Sequence, residues 1–404
     1  MNLSYFIAKR ISFSRVGGFS AIIHRIAVGS LAIGVAVSII AFMVLGGFQK
    51  TVSEKVYDFT GQYQVQRFTM SNSFEENPFS LKADFLKNYS SIPEIERVQS
   101  FAHKAALIKG EQEVEGVLMK GLSNDFDTLN FQQYLVEGRF INFPDEGTSN
   151  EVVISRYLAN RLLLEVGDRI ILYFVQNPPR YRRVEVVGIY ETLLENFDQK
   201  IVLGELQTIR NLNGWQDDEV GGLEVFIKDK PSQELSRSIE DILDLDLKLI
   251  NSEDKYLEIF DWLKLLDTNV YVFISLIGFV AIFNMGAILF ILIMERTQMI
   301  GLLKALGTQD FQIRRIFFWN GMRILGRGLL IGNAIGLGFG LIQDMFRIIP
   351  LNPQSYYMSY VPIEWNWPVF VAINLGITVL TALVLWIPVI VISRVNPIQS
   401  IRFD

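Results

Sequence analysis

Cysteine is absent from the 404 residues, and histidine occurs only at His24 and His103. A zinc cluster with Cys ligands, a disulfide framework and a thiol nucleophile are therefore excluded. A His-rich metal site or a Ser-His-Asp triad lacks its parts. The motifs G-x-x-x-x-G-K-[ST], G-x-S-x-G and H-E-x-x-H do not occur. The chain is thus expected not to hydrolyse ATP itself, and no catalytic, cofactor-binding or metal-binding residue is assigned. The run Asp241, Asp244, Asp246 reads as a solvated face rather than a metal site. Lack of Cys is compatible with an oxidising compartment without requiring one.

What is abundant is apolar surface. Half of the residues are hydrophobic, and the mean hydropathy is +0.28, high for an ordinary soluble protein. The net charge of −6 hides an asymmetry. Residues 48–267 hold 38 acidic and 24 basic side chains, a net of −14, and the remainder is net positive. Such a split suits a membrane protein with an acidic domain on one side and basic loops on the other, and it argues against nucleic acid as a partner.

A helix needs about 20 apolar residues to cross the hydrocarbon core. Segments 26–48, 268–294 and 368–392 meet that requirement with no charge in their apolar stretches, and Pro388 marks a local kink in the last. Segment 316–346 is interrupted by Arg323 and Arg327, which share a face at its entry end. The first segment is too long for a signal-peptide core and has no small-residue cleavage site after it, so it reads as an uncleaved anchor. Lys9, Arg10, Arg15 and Arg25 precede the first span, and the 295–315 connection is also basic. The positive-inside rule then puts the 1–25 segment, the 295–315 connection and the 393–404 tail in the cytoplasm. The 49–267 domain and the 347–367 loop fall outside. Gly328, Gly332, Gly336 and Gly340 recur every four residues and predict a ridge along which another helix packs closely. Asn284, Asn333 and Asn374 are polar groups available for interhelical hydrogen bonds.

The outer domain reads as α+β. Strands are expected at 62–68, 105–108 and 114–119, 151–154, 169–175, 183–190, 222–227 and 247–251. Ser155 suits the N-cap of a helix through residue 164, and a helix near 233–243 gives a βαβ-like unit. Residues 253–267 form an amphipathic helix that runs into the second span, with Tyr256, Ile259, Phe260 and Leu263 on its apolar face. Gln176, Asn177, Pro178, Pro179 and Arg180 make the stiff tip of a hairpin.

The segment Glu295-Arg-Thr-Gln-Met-Ile-Gly-Leu-Leu-Lys-Ala-Leu-Gly307 is a short helix leaving the second span, with Gly307 at its C-terminal cap and Thr308 and Asp310 at the next helix start. By composition it fits either a partner protein or the lipid interface. Its pattern resembles E-R-T-x-x-I-G-x-L-K-A-L-G of the FtsX/MacB-like ABC permease family, matched by Glu295, Arg296, Ile300, Gly301, Lys304, Ala305 and Gly307. Met299 stands where many members have Glu. Further similarity lies in Leu45-Gly-Gly-Phe48, Glu137-Gly-Arg-Phe140, the run 152–170, Val186-Val-Gly-Ile189 and Asn396-Pro-Ile-Gln-Ser-Ile-Arg402. Together these cover nearly the whole chain. With no fused ATPase and a large outer domain, the chain is most similar to the lipoprotein-releasing LolC/LolE group.

The resemblance implies four transmembrane helices with a large MacB-like periplasmic domain between the first two, in the bacterial inner membrane. It implies that the seven matched residues seat a coupling helix in an ABC ATPase present in two copies, which binds the ATP and Mg. The remaining implied partners are a second permease, identical or homologous, a lipoprotein substrate and a periplasmic lipoprotein chaperone. The implied activity is extraction of lipoproteins by mechanotransmission. The hairpin tip occupies the place of a chaperone-binding hook, against the alternative of a plain surface turn. A MacB-like exporter of peptides or toxins and an FtsX-like scaffold controlling cell-wall hydrolases remain the alternatives.

Overall fold

The computed structural model describes residues 19–391 apart from 70–74, 111–112 and 145–146. The basic residues Lys9, Arg10 and Arg15 and the 396–402 tail motif lie outside the described residues. The chain divides into two compact units. The membrane unit takes the chain up to Lys50, Trp262–Pro350 and the chain from Tyr360, while the outer unit takes Thr51–Asp261 with Leu351–Ser359.

Four helices are long and apolar enough to cross a membrane. They lie within α1 (Phe19–Thr60), α5 (Leu257–Glu295), α7 (Asp310–Phe346) and α8 (Trp367–Val391). At 42 residues, α1 is about twice the length a span requires, and its last turns belong to the outer unit. The expected helix over 253–267 is corrected at its start. A single turn, Ser252–Lys255, capped by the Asn251 side chain, ends at Tyr256 (φ −111, ψ 45), and α5 begins only at Leu257. The Tyr256 ring stands edge-on against Phe197, and the Tyr256 carbonyl accepts from the Ile259 and Phe260 N–H groups as the first acceptor of α5. From Leu257 onward the helix is unbroken, with Ile259, Phe260 and Leu263 buried.

The outer unit is built on a ten-stranded sheet in the order β12-β1-β11-β3-β4-β9-β6-β8-β5, with β7 joining β3 to β8. The strands are β1 (Tyr63–Arg67), β2 (Phe79–Ser80), β3 (Ile95–Lys109), β4 (Val114–Leu122), β5 (Leu135–Gly138) and β6 (Glu151–Ser155). They continue with β7 (Arg169–Phe174), β8 (Arg180–Tyr190), β9 (Ile201–Glu205), β10 (Glu219–Val220), β11 (Gly222–Ile227) and β12 (Leu247–Asn251). Three helices pack on them: α2 (Arg156–Leu162), α3 (Leu206–Asn213) and α4 (Gln233–Glu240). Ser155 caps α2 by accepting from the Leu158 N–H at 3.0 Å, as its position predicts.

Two topological points matter. The β11–α4–β12 unit is split: β1 lies between β11 and β12, antiparallel to both. Pairing also runs β3-β4-β9-β6-β8-β7 and back to β3, so this part of the sheet closes on itself and encloses Ile108, Met119, Ile154, Leu172, Val186 and Val202. The strand expected at 105–108 begins ten residues earlier, at Ile95. Residues 99–104 are all buried, so the alternation that marks a half-buried strand is missing there. Lys55 ties the Leu351–Ser359 segment into this unit: its ammonium donates to the carbonyls of Thr192 and Tyr357, both at 2.7 Å.

Candidate functional site

The α5–α7 connection folds as α6 (Thr297–Ala305), separated from α5 at Arg296. Its end is a Schellman closure: the Gly307 N–H donates to the Lys304 carbonyl at 3.0 Å and the Thr308 N–H to the Leu303 carbonyl at 2.9 Å. Gly307 sits at φ +85, where a side chain would be strained. Asp310 opens α7 and receives Lys304 Nζ at 3.1 Å. That ion pair locks the two helices across the turn.

The seven motif residues do not share one surface. Ile300 and Gly301 are buried, and Ile300 packs in a cluster that includes Ile293, Ile313 and Phe317. Lys304 is mostly covered, with its charge directed to Asp310. These three build the turn; they do not present it. Glu295, Ala305 and Gly307 are exposed, and Arg296 is half-buried. Beside them Leu302 and Leu306 stand out, 56% and 74% exposed. The seven residues singled out from the motif include neither of these leucines. Only the direction of each Cβ on the folded turn separates them from Ile300.

The glycine ridge of α7 lies against α1. A Cβ at Gly328 would come 2.5 Å from Leu31, one at Gly332 2.6 Å from Val35, one at Gly336 3.1 Å from Ile39 and one at Gly340 2.0 Å from Met43. Each glycine meets the next turn of α1, so the helices follow one another over four turns. On another face of α7, Asn333 and Asn374 of α8 exchange amide hydrogen bonds of 2.7 and 3.0 Å. Asn284, on α5, is not part of this pair. Arg327 comes within 3.1 Å of His24 Nε2 on α1. Between α1, α5 and α8 a cavity of about 680 Å³ opens, walled by groups such as Val35, Phe42, Ile274, Phe279 and Ile373. Its few polar groups are hydroxyls, among them Ser38 and Thr381, and the buried Thr381 Oγ1 has no hydrogen-bond partner among the described residues.

In the outer unit the hairpin of β7 and β8 has a five-residue tip, 175–179. Asn177, Pro178 and Pro179 are exposed and Gln176 is partly covered. Arg180 is turned back: its guanidinium donates to the carbonyls of Asn211 and Leu212 at 3.3 and 3.2 Å, at the end of α3. The tip is therefore short and pinned at its base.

Two buried polar clusters lie where no sequence pattern announced them. Lys120 and Glu224, 2% and 0% exposed, pair at 2.7 Å. Gln99 donates to the other Glu224 oxygen at 2.8 Å, and Lys120 also donates to the Phe59 carbonyl in the last turn of α1. The ammonium thus satisfies an end-of-helix carbonyl on the side where a helix favours positive charge. In the second cluster the Glu76 carboxylate faces His103 Nδ1 at 2.7 Å and accepts from the His103 N–H at 2.9 Å. Burial alone would raise Glu76, but the imidazole, its hydrogen bonds and Lys255 hold the carboxyl below its ordinary value. The members of each cluster are far apart in sequence, so only folding assembles them. Among the described residues no group of three or more His, Asp or Glu side chains could hold a metal ion.

Comparison with known proteins gives the family. Residues 26–242 match the model of the MacB-like periplasmic core domain, and residues 271–397 match that of the FtsX-like permease C-terminal region. The lipoprotein-releasing system transmembrane protein LolE of Haemophilus influenzae is 23% identical over 395 residues, 91% of each chain. The LolC protein of Xylella fastidiosa strain 9a5c is 21% identical over 420 residues, covering 100% of this chain and 98% of that one. Among solved structures, the periplasmic region of MacB from Actinobacillus actinomycetemcomitans aligns with a TM-score of 0.34 at 13% identity, covering 49% of this chain and 91% of that one. The extracellular domain of the transporter YknZ aligns with a TM-score of 0.32 at 12% identity, covering 46% and 98%. A multi-pass membrane chain in which a MacB-like core domain is followed by an FtsX-like permease region, this protein belongs to the FtsX/MacB-like family of ABC transporter permeases, of the LolC/LolE kind.

Proposed function

We propose that the protein is the permease subunit of an ABC transporter that extracts lipoproteins from the outer leaflet of the inner membrane and passes them to a periplasmic chaperone. The observation that carries this reading is the apolar cavity of about 680 Å³ among α1, α5 and α8. Its walls match acyl chains rather than a polar solute, and hydroxyls are the groups it offers to an ester or amide. Support comes from relatives of nearly equal length whose names state lipoprotein release.

In this reading both termini and the α6 turn face the cytoplasm. A partner ATPase, present in two copies and holding ATP and Mg, grips the exposed side of α6 through Leu302, Leu306, Ala305 and Glu295. Ile300, Gly301 and Lys304 keep that surface in place. A second permease, identical or homologous, completes the membrane part. ATP-driven closure of the ATPase pair pushes α6, the push passes along α5 and α7, and the acyl chains are expelled toward the chaperone. The 175–179 tip is the chaperone contact in this scheme.

The test is release of a radiolabelled lipoprotein from proteoliposomes holding this chain, its co-purified ATPase and a soluble chaperone. ATP-dependent transfer to the chaperone is expected. Hydrolysis of ATP with all lipoprotein left in the membrane would retain the permease assignment and move the function to peptide export or to control of cell-wall hydrolases.

A further inference from the structure

We propose that Lys55 is a latch that holds the connection between α7 and α8 on the outer unit, and that this connection is the side that lets go. Leu351–Ser359 belongs to the outer unit, although the chain on either side of it belongs to the membrane unit. The segment is a closed finger. At its neck the Leu351 N–H donates to the Ser359 carbonyl at 3.0 Å, next to the bridge between Pro350 and Tyr360. At its tip a single helical turn, Pro353–Tyr356, leads to Tyr357 and the buried Met358.

Three observations favour release at the finger. The first is what holds the ammonium. Lys55 Nζ donates to the carbonyls of Thr192 and Tyr357, both at 2.7 Å. Asp198 and Glu191 act on its charge, but neither forms an ion pair with it among the described residues. Carbonyl acceptors are neutral, and water replaces them one for one. The second is backbone strain. Tyr357 sits at φ +60, in the left-handed region that a bulky L-residue rarely adopts. Losing the bond to its carbonyl frees Tyr357 to leave that region, so the strain favours release.

The third is that the two acceptors are built differently. Leu193, beside Thr192, is also left-handed at φ +64, but the buried Asp198 carboxylate overdetermines that turn. It accepts from the Thr192 N–H at 3.1 Å, the Thr192 hydroxyl at 2.7 Å and the Leu193 N–H at 2.9 Å. In the finger the backbone bonds of the tip are local: the Tyr356 N–H donates to the Asn352 carbonyl at 3.1 Å and the Tyr357 N–H to the Pro353 carbonyl at 2.9 Å. One helical turn does not persist by itself. The finger therefore keeps its shape while docked, and the Thr192 turn keeps its shape in either state. Since α1 is unbroken from the glycine seam to Lys55, a shift of α7 along that seam pulls on the finger. The link to transport rests on the permease reading; the latch itself does not.

The test is hydrogen exchange of the purified full chain in detergent, read by mass spectrometry. Lys55→Met is expected to speed exchange in 351–359 about tenfold, the worth of a charge-assisted hydrogen bond, and to leave 191–198 unchanged. Unchanged exchange in the finger would overturn the proposal, because another contact then holds it. Equal acceleration of both segments would overturn it too, because Lys55 would then brace the fold rather than hold one movable part. A second measurement needs no substitution. In the wild-type chain with its co-purified ATPase, trapping with ATP and vanadate is expected to speed exchange in 351–359 and not in 191–198. No change in a preparation that hydrolyses ATP would make Lys55 a fixed brace and overturn the latch, with the permease reading intact. A preparation that does not hydrolyse ATP would count against the permease reading, and the Lys55→Met comparison in the chain alone would then decide the latch.

Discussion

Lys120 holds an environment in which a lysine is rarely found, with Glu224, Gln99 and the end of α1 around it. Removing one member of a buried pair leaves the other charge uncompensated, at a cost of about 3–5 kcal/mol, while replacing both by apolar groups is close to neutral. Lys120→Met is therefore expected to lower the thermal midpoint of the outer domain sharply, and Lys120→Met with Glu224→Leu to recover most of the loss. Equal damage from the single and the double variant would show that the pair is not a unit. Glu76 makes a pH prediction. Its folded carboxyl lies below the ordinary value of 4.5. The stability it supplies is present above that value and is lost as pH falls through the folded one. Unfolding followed from pH 7 to below about pH 4 should show a decline that Glu76→Gln flattens. None of these residues could be read from the sequence, because burial and partner come from strands brought together by the sheet. Ser155 could be read, since an N-cap is a matter of three residues.

At the scale of elements, α6 and the glycine ridge give contrasting tests. Ile300→Ala should destabilise the membrane unit by about 2–5 kcal/mol, seen as a lower melting temperature. Leu302→Ser with Leu306→Ser should leave melting unchanged and weaken capture of the ATPase. If the Leu pair changes stability and Ile300 changes only capture, the inside and outside of α6 are reversed. Gly332→Leu forces a side chain onto Val35 and the Ala32 carbonyl and should cost about 1–3 kcal/mol by overpacking. Gly338→Ala on the same helix meets nothing within 4 Å and should be neutral, which a melt of each variant checks. The four-residue spacing made the ridge legible, as length and hydropathy did the four spans. Its partner, α1, was not legible, since many apolar faces could accept a ridge. The long β3 escaped for the opposite reason: a strand covered on both faces loses the period that reveals it.

On the scale of the whole molecule, the lack of cysteine in 404 residues has practical value, because any introduced pair reports without background. The family was legible from an ordered set of short motifs, each modest alone. What the folded chain adds is a separation of tasks within the most informative motif, in which Ile300, Gly301 and Lys304 build the turn while Glu295, Ala305, Leu302 and Leu306 face outward. The Asn333–Asn374 exchange carries a mechanical consequence. Two amides, each giving and taking one bond in a medium without water, act as a rivet. Sliding α7 along α8 by one turn would break both bonds at once with nothing to replace them. Along the glycine track α7 and α1 meet by close backbone approach, and the polar contact described between them, Arg327 with His24, lies at one end of the track. Any shear in this unit will therefore run along the smooth seam, with the third and fourth spans travelling as a single plate.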